Sequence, residues 1–292
     1  MMQLRIGFME NRKNSTNNFP VTLTIAGSDS GGGAGIQADL RTFSHLNVYG
    51  CSVITAITAQ NPNEVRLVNV LSDEIIISQL DTVFSAFNIN VVKTGMLPNE
   101  NIVNVVANYI KQRKLVAVVD PVMVSTSGVR LVDTNSVQAI KKTLLPLATW
   151  ITPNIPEAEL IVGKEINSFD DILNAALEIF NIYKCNVVLK CGHATWLDKA
   201  KDVVCYGGML YLLTSPLLEI VNNEAHGTGC TLSSAMAACL AQGKAWEDAI
   251  KEAKAFVYGS LFEKVYLKEN FAQMFPPKLD YIDAVMLEKM NY

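Results

Sequence analysis

The sequence predicts an α/β protein with a mostly parallel sheet covered by helices on both sides. Three observations carry that expectation. Short β-branched runs alternate with amphipathic stretches along most of the chain, and the strands read as nearly continuous apolar runs. Half of the 292 residues are apolar, enough to bury a sizeable core.

The first strand is "VTLTIAG" (21–27), followed by the glycine-rich "SDSGGGAG" and a helix whose apolar residues recur at helical spacing. "CSVITAITA" (51–59) is the second strand. "SDEIIISQLDTVFSAF" is a helix with Ser72 as N-cap and Ile76, Leu80, Val83, Phe84 and Phe87 on one face. "NVVKTG" returns to strand, "NENIVNVVANYIKQR" to helix and "LVAVVD" to strand. A helix near 133–145, the strand "TWIT", a helix over 168–183 and the strand "NVVLK" (186–190) continue the pattern. After residue 200 it changes: "VVCY", the pair Gly207-Gly208 and "MLYLLTS" predict a two-residue hairpin, with antiparallel strands near one sheet edge. Helical stretches at 229–241 and 246–265 follow, and the absence of internal repeats favours one domain over 20–292. Residues 1–19 lack the apolar core of a signal peptide and are expected to form a disordered leader.

Net charge is −4 with no block of like charges, which argues against a nucleic-acid partner. No uninterrupted apolar stretch reaches the ~20 residues of a membrane span. The six cysteines form no framework and no C-x-x-C pair, which suits reduced thiols in a cytoplasmic protein. The three histidines are too dispersed to suggest structural zinc.

Five motifs stand where open α/β sheets collect ligands. "GSDSGGGAG" (27–35) fails both the Walker pattern and the dinucleotide fingerprint, and remains a flexible turn or a ligand loop. "HGTGC" (226–230) opens a helix. Its consecutive amides can seat a phosphate, and the helix N-terminus is expected to lower the Cys230 thiol toward partial ionisation near neutral pH. Cys230 otherwise is a small buried residue at a helix start. In "TPNIPEAEL" (152–160), Asn154 and Glu157 could face a hydrated magnesium ion, or could serve as cap and first-turn residue. Asp120 ends the strand "VVD", and Lys190 ends "VVLK", able to answer phosphate charge or simply to emerge from a sheet edge. His193 and His226 could polarise a nucleotide or cap a turn.

Together, "TIAGSDSGGGAGIQADLRTF", "CSVITAITAQN", "KTGML", "VVDPVM", "TPNIPEA", "LKCGH" and "HGTGC" closely resemble the hydroxymethylpyrimidine/phosphomethylpyrimidine kinases of thiamine biosynthesis, within the ribokinase-like superfamily. The resemblance spans roughly residues 20–265. It implies a three-layer α/β/α domain, a homodimer, and phosphorylation by ATP and Mg2+ of 4-amino-5-hydroxymethyl-2-methylpyrimidine and then of its monophosphate. It places Gly27, Asp39, Gln60, Met96 and Val122 near the pyrimidine, whose aminopyrimidine edge an amide such as Gln60 can read. Asp120, Asn154 and Glu157 would serve nucleotide phosphates and magnesium, with Asp120 and Glu157 toward the metal. Lys190 would serve the transferring group, Gly227, Thr228 and Gly229 the anion hole, and Cys230 the base. Two departures bear on nucleotide contact: Ser125-Thr126 stands where the family often has Ala-Lys, and Cys191 where it has glycine. A pyridoxal kinase of the same fold, or a non-catalytic pyrimidine sensor, are the alternative readings.

Overall fold

The structure, a computed structural model, describes residues 19–123, 133–192, 200–220, 224–269 and 271–292. Residues 1–18 of the expected leader (1–19), Ser125 to Gly128 and His193 lie outside them. The central feature is a ten-stranded sheet. Its parallel part begins with β1 (Val21–Asp29), flanked by β2 (Tyr49–Asn61) on one side and β4 (Val91–Thr94) on the other. From β4 it continues through β5 (Val116–Val119), β6 (Trp150–Ile151) and β7 (Asn186–Lys190). These are the strands whose continuous apolar runs announce burial on both faces.

Successive residues of each strand enter opposite cores. Val92, Val119, Ile151 and Val187 join a cluster beneath five helices: α2 (Asp73–Ala86), α3 (Glu100–Arg113), α4 (Thr134–Ala139), α5 (Ile155–Val162) and α6 (Phe169–Tyr183). Val91, Val118, Trp150 and Val188 face the other layer, formed by α1 (Gly35–His45), α7 (Thr228–Ala241) and α8 (Trp246–Phe262). The period-two alternation of side chains therefore sorts one set of strands into two cores. Trp150 is buried there within an aromatic stack: its ring lies 5.8 Å from Tyr206 and 6.1 Å from Trp246, and Tyr206 lies 4.2 Å from Trp246.

Local signals place several boundaries. Ser72 caps α2 by accepting from the Ile75 N–H, and Ile76 and Leu80 are fully buried. Phe87 departs from expectation: the helix ends at Ala86, and Phe87 is an exposed cap residue in extended conformation, stacked on Tyr49 at 5.5 Å. Beyond Ala139, α4 loosens into a wider turn over Ile140–Leu144 and tightens into a 3-10 turn over Leu145–Leu147, where Pro146 lacks the N–H a helix interior needs.

The hairpin after residue 200 pairs β8 (Ala200–Tyr206) with β9 (Met209–Ser215) across Gly207 and Gly208, both at positive φ as the tight mirror-image turn requires. It lies near one sheet edge, as expected, one strand in from it. β12 (Met286–Lys289), unforeseen in sequence, pairs antiparallel with β9 and covers it. At the opposite edge, β3 (Glu64–Val70) is a second unforeseen antiparallel strand, and β10 (Val265–Lys268) with β11 (Phe271–Gln273) forms a separate small hairpin. Among the described residues, no helix is long and apolar enough to cross a membrane.

Candidate active site

Parallel strands present all their carboxyl ends on one side. Because β2 and β4 flank β1 on opposite sides, the loops leaving those ends diverge there and open a crevice. The first turn of α7 reaches over this crevice and closes a cavity of about 590 Å³, a size suited to small ligands.

One end of the cavity is built on the glycine loop after β1. Asp29 organises that loop: Oδ1 accepts from the Gly31 amide at 2.8 Å, and Oδ2 from Gly33 at 3.1 Å and Ala34 at 2.9 Å. Nε2 of the buried His226 lies 3.2 Å from the same Oδ2. Burial works to raise the Asp29 carboxyl, but His226 and the loop amides together hold it below its ordinary value. Gly27 lines the cavity with Gln60, Met96 and Val122. A Cβ on Gly27 would stand 2.5 Å from Met96 Cε, so glycine is what admits the methionine. The β2–β3 pairing shifts register between Ala59 and Gln60, and Ser30 bonds the Gln60 backbone in both directions at 2.8 Å, fixing this residue at the cavity mouth.

The turn entering α7 meets the glycine loop directly. Gly227 has φ +85, and a Cβ there would overlap the Gly33 carbonyl oxygen, so no other residue allows the two turns to touch. Thr228 and Gly229 also line the cavity, but the expected run of three free amides is corrected. The Thr228 N–H donates to the Ala225 carbonyl at 3.2 Å and its hydroxyl to the same oxygen at 3.0 Å. The N–H groups of Gly229 and Cys230 lie in the first helical turn and therefore lack an intrahelical acceptor, which makes them donors suited to an anion.

Cys230 lines the cavity and is half-buried, whereas the other five cysteines are buried. The expectation of a lowered thiol is also corrected. Burial pushes it up to about 11; the Lys93 ammonium and the Gly35 N–H oppose this, and the carboxylates of Asp120 and Asp39 add to it.

Beneath Gly229 lies a charged pair. Lys190 Nζ is 2.7 Å from Asp120 Oδ1, which also accepts from Thr152 Oγ1 at 3.1 Å. A Cβ on Gly229 would stand 3.0 Å from that Nζ, so glycine keeps the lysine within reach of the turn. Lys190 does not emerge from an edge, because β7 lies between β6 and β8. Asn154 and Glu157 do the capping and line the cavity as well: Asn154 Oδ1 accepts from the Glu157 N–H at 2.9 Å, and Glu157 Oε2 from the Asn154 N–H at 2.8 Å. Burial drives the Glu157 carboxyl up to about 7, with Lys190 pulling it down and Asp120 pushing it up.

Asp39 is the site residue that the structure moves. It is fully buried, does not line the cavity, and pairs with Lys93 below it. Its side chain instead faces β1, β4 and α7, bonding Thr24, Lys93 and Ser234. Sequence reasoning missed Lys93, whose signal was a lysine inside an apolar strand, and the buried pair Lys254–Asp202 (2.7 Å) toward the α8 end. That end is otherwise apolar, lined by Leu232, Val257, Tyr258 and Leu261.

Two first-turn amides, a thiol and two lysines thus stand together at the carboxyl edge of a doubly wound sheet, an arrangement suited to holding an anion. The family model for phosphomethylpyrimidine kinase matches residues 29–274, and the chain belongs to that family. It is 44% identical to the hydroxymethylpyrimidine/phosphomethylpyrimidine kinase of Rhizobium meliloti over 82% of this chain and 90% of that protein. It is also 44% identical to the thiamine biosynthesis bifunctional protein ThiED of Geobacter sulfurreducens, spanning 82% of this chain but only about half (48%) of that longer protein. Among solved structures, the pyridoxal kinase of Staphylococcus aureus in complex with AMP-PCP and pyridoxal superposes with a TM-score of 0.84 at 33% identity, covering 94% of this chain and 100% of that one.

The Gly33–Gly227 contact generates a paired test. Gly243 also sits at positive φ (+79) but meets nothing within 4 Å. Gly243→Ala should cost about 1 kcal/mol in urea denaturation. Gly227→Ala should cost about 3 kcal/mol or more, since the displaced turn must carry the loop with it.

Proposed function

We propose that this protein is an ATP-dependent kinase that phosphorylates 4-amino-5-hydroxymethyl-2-methylpyrimidine and then its monophosphate, giving the diphosphate for thiamine biosynthesis. The observation that supports it best is the Cys230 side chain in the cavity beside the Gly229 and Cys230 amides, with Lys190 beneath them. Gly27, Gln60, Met96 and Val122 would hold the pyrimidine, and the apolar end near Tyr258 suits a nucleotide base. In the first reaction the hydroxymethyl oxygen forms a bond to the γ-phosphorus while the bond from that phosphorus to the β–γ bridging oxygen breaks. The hydroxyl proton passes to the Cys230 thiolate, and ADP leaves. Lys190 and the two amides meet the charge on the transferring group.

Asp120 and Glu157 offer two carboxylates, too few for an all-protein cage. That donor set fits Mg2+, which keeps several waters and shares phosphate oxygens. When bound it would supply charge neutralisation to the phosphates. Asn154 keeps Glu157 aimed at the cavity through the reciprocal cap.

The two reactions differ in their need for a base. The alcohol must lose a proton, whereas the monophosphate is already largely ionised near neutral pH, its second pKa being about 6. Cys230→Ala should therefore lower turnover of the alcohol by about 10²–10⁴ and of the monophosphate far less, read as a mass-spectrometric product time course. With the thiol held at about 11, thiolate accumulates as pH rises, so kcat for the alcohol should climb through the neutral and mildly alkaline range while that for the monophosphate stays flatter. Equal losses in both steps would remove Cys230 from the role of base.

Pyridoxal kinase is the second reading, supported by the likeness to the Staphylococcus aureus enzyme. Pyridoxal shares a flat heteroaromatic ring with a hydroxymethyl arm. In a competition assay the pyrimidine should show the higher kcat/KM, and the reverse order would reassign the substrate.

The chain is also proposed to form a homodimer through the β3 edge, a strand flank unpaired among the described residues, with Leu67 (65% exposed) and Val70 at the surface and Ile57 of the neighbouring β2 exposed beside them. Light scattering should give twice the chain mass, and Leu67→Lys should reduce it to one.

A further inference from the structure

Lys93 lies in the apolar strand β4, and its side chain is fully enclosed apart from the cavity it lines. Enclosing an ammonium is unfavourable unless its charge is answered, so the groups that answer it are a built feature. Its Nζ is 2.9 and 3.0 Å from the two oxygens of Asp39. Asp39 accepts two further bonds, from Thr24 Oγ1 at 2.6 Å and Ser234 Oγ at 2.5 Å. The cluster thus ties β1, β4 and α1 to α7, and Ser234 stands one helical turn after Cys230, on the same face. Burial works against the Lys93 charge, but Asp39, aided by Cys230 and Asp120, holds the ammonium above its ordinary value.

The groups that act on Cys230 come from every element around it. Lys93 on β4 and the Gly35 N–H at the start of α1 favour the thiolate; Asp39 on α1 and Asp120 after β5 disfavour it. Lys190 on β7 also acts with it but is bonded to Asp120. Lys93 is the largest influence opposing burial. Lys190 therefore serves the phosphoryl side of the turn and Lys93 the thiol side.

We propose that Lys93 is a positioning residue for the phosphoryl transfer: clamped by Asp39 beneath the first turn of α7, its ammonium stabilises the Cys230 thiolate that accepts the alcohol proton. The inference deepens the reading of Cys230 as base and rests on it. Asp39 then acts through Lys93 and not on the pyrimidine.

The test reads the thiol itself. Cys230 is the half-buried cysteine and the others are buried, so alkylation of the native protein by iodoacetamide, mapped by mass spectrometry, follows Cys230. Lys93→Met leaves a lone buried carboxylate and can fail to fold. The double variant Lys93→Met/Asp39→Asn removes both charges at similar volume and keeps the core neutral. Because the Asp39 charge opposes the thiolate, the reference is Asp39→Asn alone, and adding Lys93→Met to it should slow alkylation near pH 8.5 about tenfold or more, the effect of one unit of thiol shift. The kcat for the pyrimidine alcohol should fall in parallel, its rising pH limb moving to higher pH, with KM changing far less. A folded double variant whose Cys230 alkylates as fast as that of Asp39→Asn alone overturns the inference, as does slowed alkylation with unchanged kcat. Full alcohol turnover by Cys230→Ala would instead overturn the reading of the base, a result the alkylation rate keeps separate.

Discussion

The contact between Gly33 and Gly227 is the constraint around which the site is arranged. Two turns from distant parts of the chain meet there, backbone against backbone, because neither position carries a side chain. Asp29 makes the contact durable by holding the glycine loop in shape through three amides while also reaching His226, the residue just before Gly227. The loop that borders the acceptor pocket and the turn that faces the anion are thus one assembly.

Around that assembly, burial decides the charge states. At Cys230 removal of the sulfur from water outweighs the Lys93 ammonium and the Gly35 N–H, and pushes the thiol up to about 11. The same low-dielectric surroundings make each enclosed charge depend on a partner: Lys190 on Asp120, Lys93 on Asp39, Lys254 on Asp202. The last two join a strand to a helix, so the polar skeleton beneath the cavity is also part of what fixes α1 and α8 to the sheet.

The parallel core was readable because its strands are continuous apolar runs and its helices start with recognisable caps, Ser72 and Asn154 among them. The strands β3 and β12 were not, since edge strands are short, partly exposed and lack an apolar run. Phe87 fitted the helical spacing, but the chain turns extended there, which periodicity does not report. Positions carried by glycine turns and strand ends, such as Gly27 and Lys190, were legible because the fold sends those features to one rim. Asp39 was misplaced because a motif marks a residue's presence near a site and not the direction its side chain takes. The internal use of the Thr228 amide was equally hidden, being a matter of turn geometry that sequence spacing leaves open.

The aromatic stack of Trp150, Tyr206 and Trp246 has an optical consequence. It joins two sheet strands to the first residue of α8, far along the chain, with neighbouring rings close enough for their excited states to couple. Near-ultraviolet circular dichroism and indole emission would then register the seating of that helix on the sheet, giving the molecule an intrinsic reporter that needs no attached dye.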